Sequence, residues 1–206
     1  MKHYLLAHDL GTSGNKATLF TTEGALVGSV TAAYGTRYFN SNWAEQDPQD
    51  WWNAVCASTQ ELVRGIDARE LAAIAFSGQM MGCLCVDRAG RPLRPAILYC
   101  DQRAVAECDH LLGRIDAREF YRITGHRASA SYSLEKLMWV KNHEPQVYAK
   151  TYKTLHAKDY LNFPSPERWR PSTPMPPAPT RWTCKPGAGR SRSCPRAAST
   201  ARSSPR

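Results

Sequence analysis

The stretch Tyr4-Leu5-Leu6-Ala7-His8-Asp9-Leu10-Gly11-Thr12-Ser13-Gly14-Asn15-Lys16-Ala17-Thr18-Leu19-Phe20 decides how the rest of the chain is read. Two apolar runs of strand length flank a turn of Gly, Thr, Ser and Asn, the pattern of a β-hairpin. Asp9 closes the first strand. Gly11 and Gly14 are expected to take positive φ and to bring the backbone close to a ligand. The turn's N–H groups are expected to form an anion-cradling nest beside the hydroxyls of Thr12 and Ser13, with Lys16 adding a positive charge. A carboxylate next to such donors suits a magnesium–nucleotide, because the cation takes oxygen ligands and the phosphates take N–H groups. The turn is not a P-loop: the G-x-x-x-x-G-K-[ST] spacing is missing and no helix follows it. By itself a hairpin of this kind is more often an ordinary structural turn, so its neighbours decide.

Downstream, Ala25 to Ala32 reads as a third strand, followed by a loop carrying Trp43-Ala44-Glu45-Gln46-Asp47-Pro48. Asp47 is placed as an N-cap and Pro48 as the first helical residue, where its missing N–H costs nothing. Trp51, Trp52, Val55, Cys56, Thr59, Leu62 and Val63 then recur at helical spacing and predict a core-facing stripe. Leu71 to Phe76 reads as a buried strand ending in Ser77-Gly78-Gln79-Met80-Met81-Gly82. Cys83 to Asp87 is a further strand, and Pro95 to Cys100 leads to Asp101-Gln102-Arg103. Helical patterns follow at 103–114, 117–124, 133–143 and 145–151. Asp116 with Glu119 resembles a capping box, and Gly125 ends that helix. Thr154 to Ala157 suits a strand, with Lys158-Asp159-Tyr160-Leu161 opening a last helix. Strands first, helices later and a strand–helix–strand unit between them imply an α/β layer architecture.

The formal charge of +9 suggests nucleic acid only until it is located. Residues 164–206 hold nine of the 27 Lys and Arg but one of the 18 acids, so residues 1–163 are nearly neutral. The last 43 residues also hold ten of the fourteen prolines and no Leu, Ile, Val, Phe or Tyr. Such a composition cannot bury a core, and a disordered Pro/Arg/Ser-rich tail is expected. The seven cysteines include no C-x-x-C pair, and Cys83 and Cys85 read as small buried side chains rather than metal ligands. No signal peptide and no run of membrane-spanning length is seen, so a reducing cytoplasm is the expected compartment.

Four segments together carry a resemblance: Asp9-Leu10-Gly11-Thr12-Ser13-Gly14, Trp43 to Pro48 with Trp51-Trp52, Ser77 to Gly82, and Leu93 to Leu98 with Asp101-Gln102-Arg103. In order and spacing they resemble the N-terminal part of the FGGY family of carbohydrate kinases, on its xylulokinase-like branch. The resemblance covers residues 3–163. It implies an incomplete ribonuclease-H-like domain of the actin/hexokinase superfamily, ATP and Mg2+ as cofactors, and a sugar or polyol as substrate. It also implies a homodimer for the full-length family. Carried over, Asp9 would hold Mg2+ through water, and Gly11, Thr12 and Ser13 would face the phosphates. Lys16 falls where related glycerol kinases have an arginine. Gln79, Met80 and Met81 would line the sugar pocket, and Asp101 and Arg103 would sit at its rim or brace it. A local ion pair is the plain alternative for those two. Xylulokinases usually read Gln-Met-His-Gly where this chain has Met81 in the histidine place, and a thioether cannot donate to a hydroxyl. The family's catalytic aspartate lies beyond the matching region, so this chain alone is expected to be inactive. The tail resembles kinase sequence read out of frame: shifted by one nucleotide, residues 166–186 permit a family-like peptide. The alternative is a non-enzymatic nucleic-acid-binding or interaction protein acting through its basic tail.

Overall fold

In a computed structural model, residues 3–163 are described. The hairpin forms as expected. β1 (Tyr4–Leu10) pairs antiparallel with β2 (Gly14–Thr21), and β2 pairs with β3 (Leu26–Ala33). β4 (Arg37–Phe39) and β5 (Trp43–Gln46) follow, then α1 (Pro48–Leu62). A short 3-10 turn leads into β6 (Leu71–Gly78), which returns parallel to β1 and gives the main sheet the order β3-β2-β1-β6. β7 (Leu84–Val86) and β8 (Ala96–Ile97) precede four helices: α2 (Val105–Leu112), α3 (Ala117–Thr124), α4 (Ser133–His143) and α5 (Pro145–Lys150). β9 (Lys153–Leu155) and α6 (Ala157–Asn162) complete the described chain, and two small sheets run β4-β5-β8 and β7-β9.

Local chemistry sets the helix ends. Asp47 accepts from the Gln49 N–H at 2.8 Å and Pro48 takes the first helical position. Asp116 accepts from the amides of Arg118 and Glu119, and Gly125 closes α3 at φ 76°, where a residue without Cβ is at ease. Leu6, His8 and Leu10 alternate onto the sheet face that α1 covers with Trp51, Trp52, Val55, Ser58 and Thr59, all buried. Cys83 and Cys85 are fully buried in a cluster with Ile97, Trp139 and Val140.

Three expectations need correcting. The stretch before Pro48 is no loop: Trp43–Gln46 is a strand, because its partners are β4 and the distant β8, which no local pattern announces. β6 is buried on one face only: Leu71 is buried and Ile74 and Phe76 half-buried, but Ala72, Ala73 and Ala75 are exposed, since β6 is an edge strand and nothing described covers the sheet face opposite α1. Gly11 and Gly14 do not adopt positive φ; among the described residues the glycines that do are Gly24, Gly78, Gly90 and Gly125. Gly14 serves close approach instead, as a Cβ there would meet the Ala32 carbonyl oxygen at 2.8 Å. The expectations for the tail, its disorder and its reading frame, fall on residues outside those described.

Two polar networks hold these layers together. Beneath the sheet, the Asn15 side-chain N–H2 donates to His8 Nδ1 at 3.0 Å and to Ser58 Oγ at 2.8 Å, while His8 Nε2 lies 3.2 Å from Thr59 Oγ1. Neutral histidine suits this pairing, with the proton on Nε2. Further along the chain, Asp101 accepts from the Ala44 N–H at 2.6 Å and from the Arg103 backbone and guanidinium at 2.7–2.9 Å. Arg103 Nη1 also lies 2.8 Å from Glu45, which pairs with Arg94 at 2.5 Å, and Arg94 Nε lies 2.7 Å from Glu144. The Arg103–Glu45 and Arg94–Glu144 contacts are off hydrogen-bond angle and act as charge contacts. The Arg103 guanidinium sits 4.0 Å from the Trp43 ring centroid and 4.9 Å from that of Trp139.

Burial pushes the His8 pKa down from 6.5 to about 4, against the Asn15 hydrogen bond that opposes it. Unfolded histidine takes its proton near pH 6.5 and folded His8 does not, so stability is complete above pH 6.5 and declines as pH falls towards 4. The expected loss is about 3 kcal/mol. Urea unfolding at pH 7 and pH 4 measures it, and in His8→Gln the difference between the two pH values should shrink by about that amount. For the ion network, Asp101→Ala leaves a guanidinium buried with one partner fewer and should cost about 3–5 kcal/mol. Combining it with Arg103→Met should cost clearly less than the sum of the single changes in the same denaturation assay.

Candidate functional site

Across the sheet, β3, β2, β1 and β6 place Thr31, Lys16, Asp9 and Ser77 side by side, since Lys16 is opposite both Thr31 and Asp9, and Asp9 is opposite Ser77. All four are exposed on the face away from α1. Directly opposed residues hold their Cβ atoms about 5 Å apart. The Asp9 carboxylate has no hydrogen bond or ion pair among the described residues.

The turn after Asp9 is held from behind. Its three carbonyls are all taken: Gly11 O accepts from the Tyr34 hydroxyl at 2.6 Å, Thr12 O from Gln46 Nε2 at 2.6 Å and Thr36 Oγ1 at 3.3 Å, and Ser13 O from the Tyr34 N–H at 3.1 Å. In a trans peptide the N–H points opposite to the C=O. With the Gly11 and Thr12 carbonyls drawn back, the N–H groups of Thr12 and Ser13 are directed outward, and neither donates to a described residue. Gly11 differs from the expectation: its N–H donates to Gly14 O at 2.9 Å and lies 3.2 Å from Asp9 O, so it is spent inside the turn. The donors are therefore Thr12 and Ser13. Burial, and then the nearby Asp9 charge, hold the Tyr34 hydroxyl protonated well above its ordinary range, which keeps it a donor.

The loop expected to meet the sugar starts beside this turn. A Cβ on Gly78 would lie 2.8 Å from Leu10 O and 2.9 Å from Leu10 Cβ, so only glycine lets β6 run this close to the end of β1. The Gln79 N–H donates to Leu10 O at 2.8 Å, and its side-chain N–H2 donates to Gln46 Oε1 at 2.8 Å. Gln79 is thereby tied back toward the turn, while Met80 is 58% exposed. Met81 is half-buried at φ 61°, a left-handed conformation that costs a methionine about 1–3 kcal/mol.

Asp101 and Arg103 form the local ion pair, the plain alternative for these two, at 2.7 Å. Both side chains are 0% exposed and do not line an open rim; through Ala44 and Glu45 they fix β5, which carries Gln46. Several supporting residues escaped the sequence reading. Tyr34, Thr36 and Gln46 hold the turn, Ser77 stands beside Asp9, and Lys136 and His156 bond the backbone of Met81. Gln46 and Ser77 lay within quoted motifs, but no periodicity in the chain points to Tyr34, Thr36, Lys136 or His156. No group of three or more His, Cys, Asp or Glu suited to a metal occurs among the described residues, and no described helix is long and apolar enough to cross a membrane.

Residues 4–164 match the family model described as "FGGY family of carbohydrate kinases, N-terminal domain". A xylulose kinase of Staphylococcus xylosus is 34% identical over 160 residues, 78% of this chain and 33% of the relative. Among solved structures, a "xyloylose kinase" from Brucella ovis superposes with a TM-score of 0.72 at 34% identity, covering 78% of this chain and 34% of that one. A gluconate kinase from Lactobacillus acidophilus gives a TM-score of 0.72 at 28% identity over 77% of this chain and 32% of that one. This chain thus spans about a third of the length of the curated relatives it matches. The fold is that of sugar kinases in the actin/hexokinase superfamily. With its hairpin, its return strand β6 and all four motif segments inside the matched region, the chain belongs to the FGGY family of carbohydrate kinases.

Proposed function

We propose that residues 1–163 form one wall of the phosphoryl-transfer cleft of an ATP-dependent kinase that acts on a sugar or polyol hydroxyl. The observation that carries this reading is the unpaired Asp9 carboxylate beside the outward N–H groups of Thr12 and Ser13. Mg2+ fits there: it takes oxygen ligands, keeps several waters, and is commonly held by one or two carboxylates together with substrate phosphates. Asp9 would hold it through water. When bound, the ion neutralises charge on the phosphate oxygens.

The chain's own residues then have distinct tasks. Thr12 and Ser13 donate to phosphate oxygens from a turn whose carbonyls are already satisfied, so the donors need no rearrangement on binding. Lys16, across the strand pair from Asp9, adds a point charge toward the same phosphates. Gln79, Met80 and Met81 face the acceptor, with Gln79 tied to the phosphate turn through Gln46. Asp101 and Arg103 act at one remove, by bracing β5. Met81 brings a thioether where xylulokinases usually have an imidazole donor, so a ketose, a polyol or a sugar acid each suits the acceptor side. The two kinds of relative, xylulose and gluconate kinases, span the same range. The nucleic-acid alternative rests on residues 164–206, outside the described part, and none of the matched relatives supports it.

Titration of the 206-residue chain with ATP, with and without Mg2+, tests the phosphate site. Affinity should depend on Mg2+, and Asp9→Ala should weaken Mg-ATP binding by about 10- to 100-fold, the range for losing a charged hydrogen-bonding partner. Asp9 is exposed, so the circular dichroism spectrum should not change. Equal Mg-ATP affinity in wild type and Asp9→Ala would remove the role assigned to the hairpin.

A further inference from the structure

The backbone of residues 81 and 82 is held by side chains rather than by a sheet. The Met81 N–H donates to His156 Nδ1 at 3.2 Å, and the Met81 carbonyl accepts from Lys136 Nζ at 3.2 Å. The Gly82 carbonyl accepts from Ser133 Oγ at 2.8 Å, and that hydroxyl lies 3.4 Å from His156 Nε2. Lys136 also donates to the Ser131 carbonyl. Three backbone groups are thereby fixed from α4 and from the start of α6, at and beside a residue whose left-handed φ needs outside support.

Lys136 is fully buried yet forms no ion pair among the described residues; its ammonium hydrogen bonds go to carbonyl oxygens. A buried ammonium with only carbonyls as partners is costly to keep, and here it sits directly behind the loop that faces the acceptor. We propose that Lys136 and His156 are positioning residues of the acceptor subsite, clamping Met81 in its left-handed conformation and so fixing which groups of residues 79–82 meet the sugar. This rests on the kinase reading above and extends it to residues that do not touch substrate.

The clamp has a pH signature. His156 Nδ1 accepts from Met81 only when it carries no proton, which leaves the proton on Nε2, toward Ser133. Burial lowers the His156 pKa below 6.5; Asp159 opposes that shift, and Lys158 and Lys136 reinforce it. Burial likewise lowers the Lys136 pKa to about 8, against the nearby Asp101, Cys83, Cys100 and Glu135. The His156 arm is therefore closed at neutral pH and opens as pH falls through a value below 6.5. The Lys136 arm loses its charge as pH rises through about 8.

The test labels the methionine methyl groups of the full 206-residue chain with 13C and follows them by NMR. The Met81 methyl should titrate in step with the His156 ring, with a midpoint below 6.5, and the titration should vanish in His156→Gln. Lys136→Met, which removes the donor without leaving a buried charge, should shift the Met81 signal and weaken D-xylulose or D-gluconate binding at least tenfold. Mg-ATP affinity should remain unchanged in that variant. A Met81 signal indifferent both to His156 titration and to Lys136→Met overturns the clamp. A coupled titration in wild type with no methyl shift on adding either sugar overturns the acceptor reading and the positioning role with it, while leaving the Mg-ATP result of Asp9→Ala standing.

Discussion

The side-chain amide of Gln46 is the junction on which the candidate site depends. It is buried, and all its hydrogen-bonding capacity is used: Nε2 donates to Thr12 O and to Thr36 Oγ1, and Oε1 accepts from Trp51 Nε1 and Gln79 Nε2, at 2.6–2.9 Å. One planar group thus joins the turn after Asp9, the core-facing side of α1 and the first residue of the loop after β6. Each bond is worth only about 1 kcal/mol net, yet a buried amide left unpaired would cost about 1–3 kcal/mol. That asymmetry is what fixes the geometry: the amide tolerates one arrangement of its four partners. Gln46 in turn holds its place because β5 is braced by Asp101 on the Ala44 N–H and by Arg103 and Arg94 on Glu45.

Charge is handled in opposite ways on the two sides of this junction. Behind it, Glu45, Arg94, Asp101 and Arg103 are nearly or fully buried and partnered, with Trp43 and Trp139 lying against the guanidinium of Arg103. Such a network adds little net stability compared with apolar packing but is severe to break, so it serves to hold one arrangement. In front, Asp9 and Lys16 are exposed and face each other across a strand pair without forming an ion pair among the described residues. An exposed, unpaired carboxylate beside free backbone donors is an arrangement that a ligand of mixed charge can complete. The open sheet face around it, with Ala73, Ala75 and Ser77 exposed on β6, belongs to a chain that spans about a third of its relatives' length.

Much of this protein was legible in its sequence. The two apolar runs around the Gly, Thr, Ser and Asn turn read as the hairpin that β1 and β2 form, because strand length and turn chemistry are local properties. Asp47-Pro48 and the Trp51, Trp52, Val55, Thr59 spacing set the start and the inner face of α1, since capping and helical period are local properties. The four motif segments were enough to name the family. What the sequence could not determine was decided by contacts between residues far apart in the chain. β5 is held as a strand by β4 on one edge and, on the other, by β8 and Asp101, which lie 50 or more positions on. Gly14 proved to matter for the Ala32 carbonyl pressed against it rather than for its φ. The outward N–H groups of Thr12 and Ser13, and the hold of Lys136 and His156 on Met81, depend on where distant acceptors and donors lie. Hydrogen bonds are directional and short in reach, so the sequence by itself determined which groups were available, and the tertiary structure alone decided which of them were left free for a ligand.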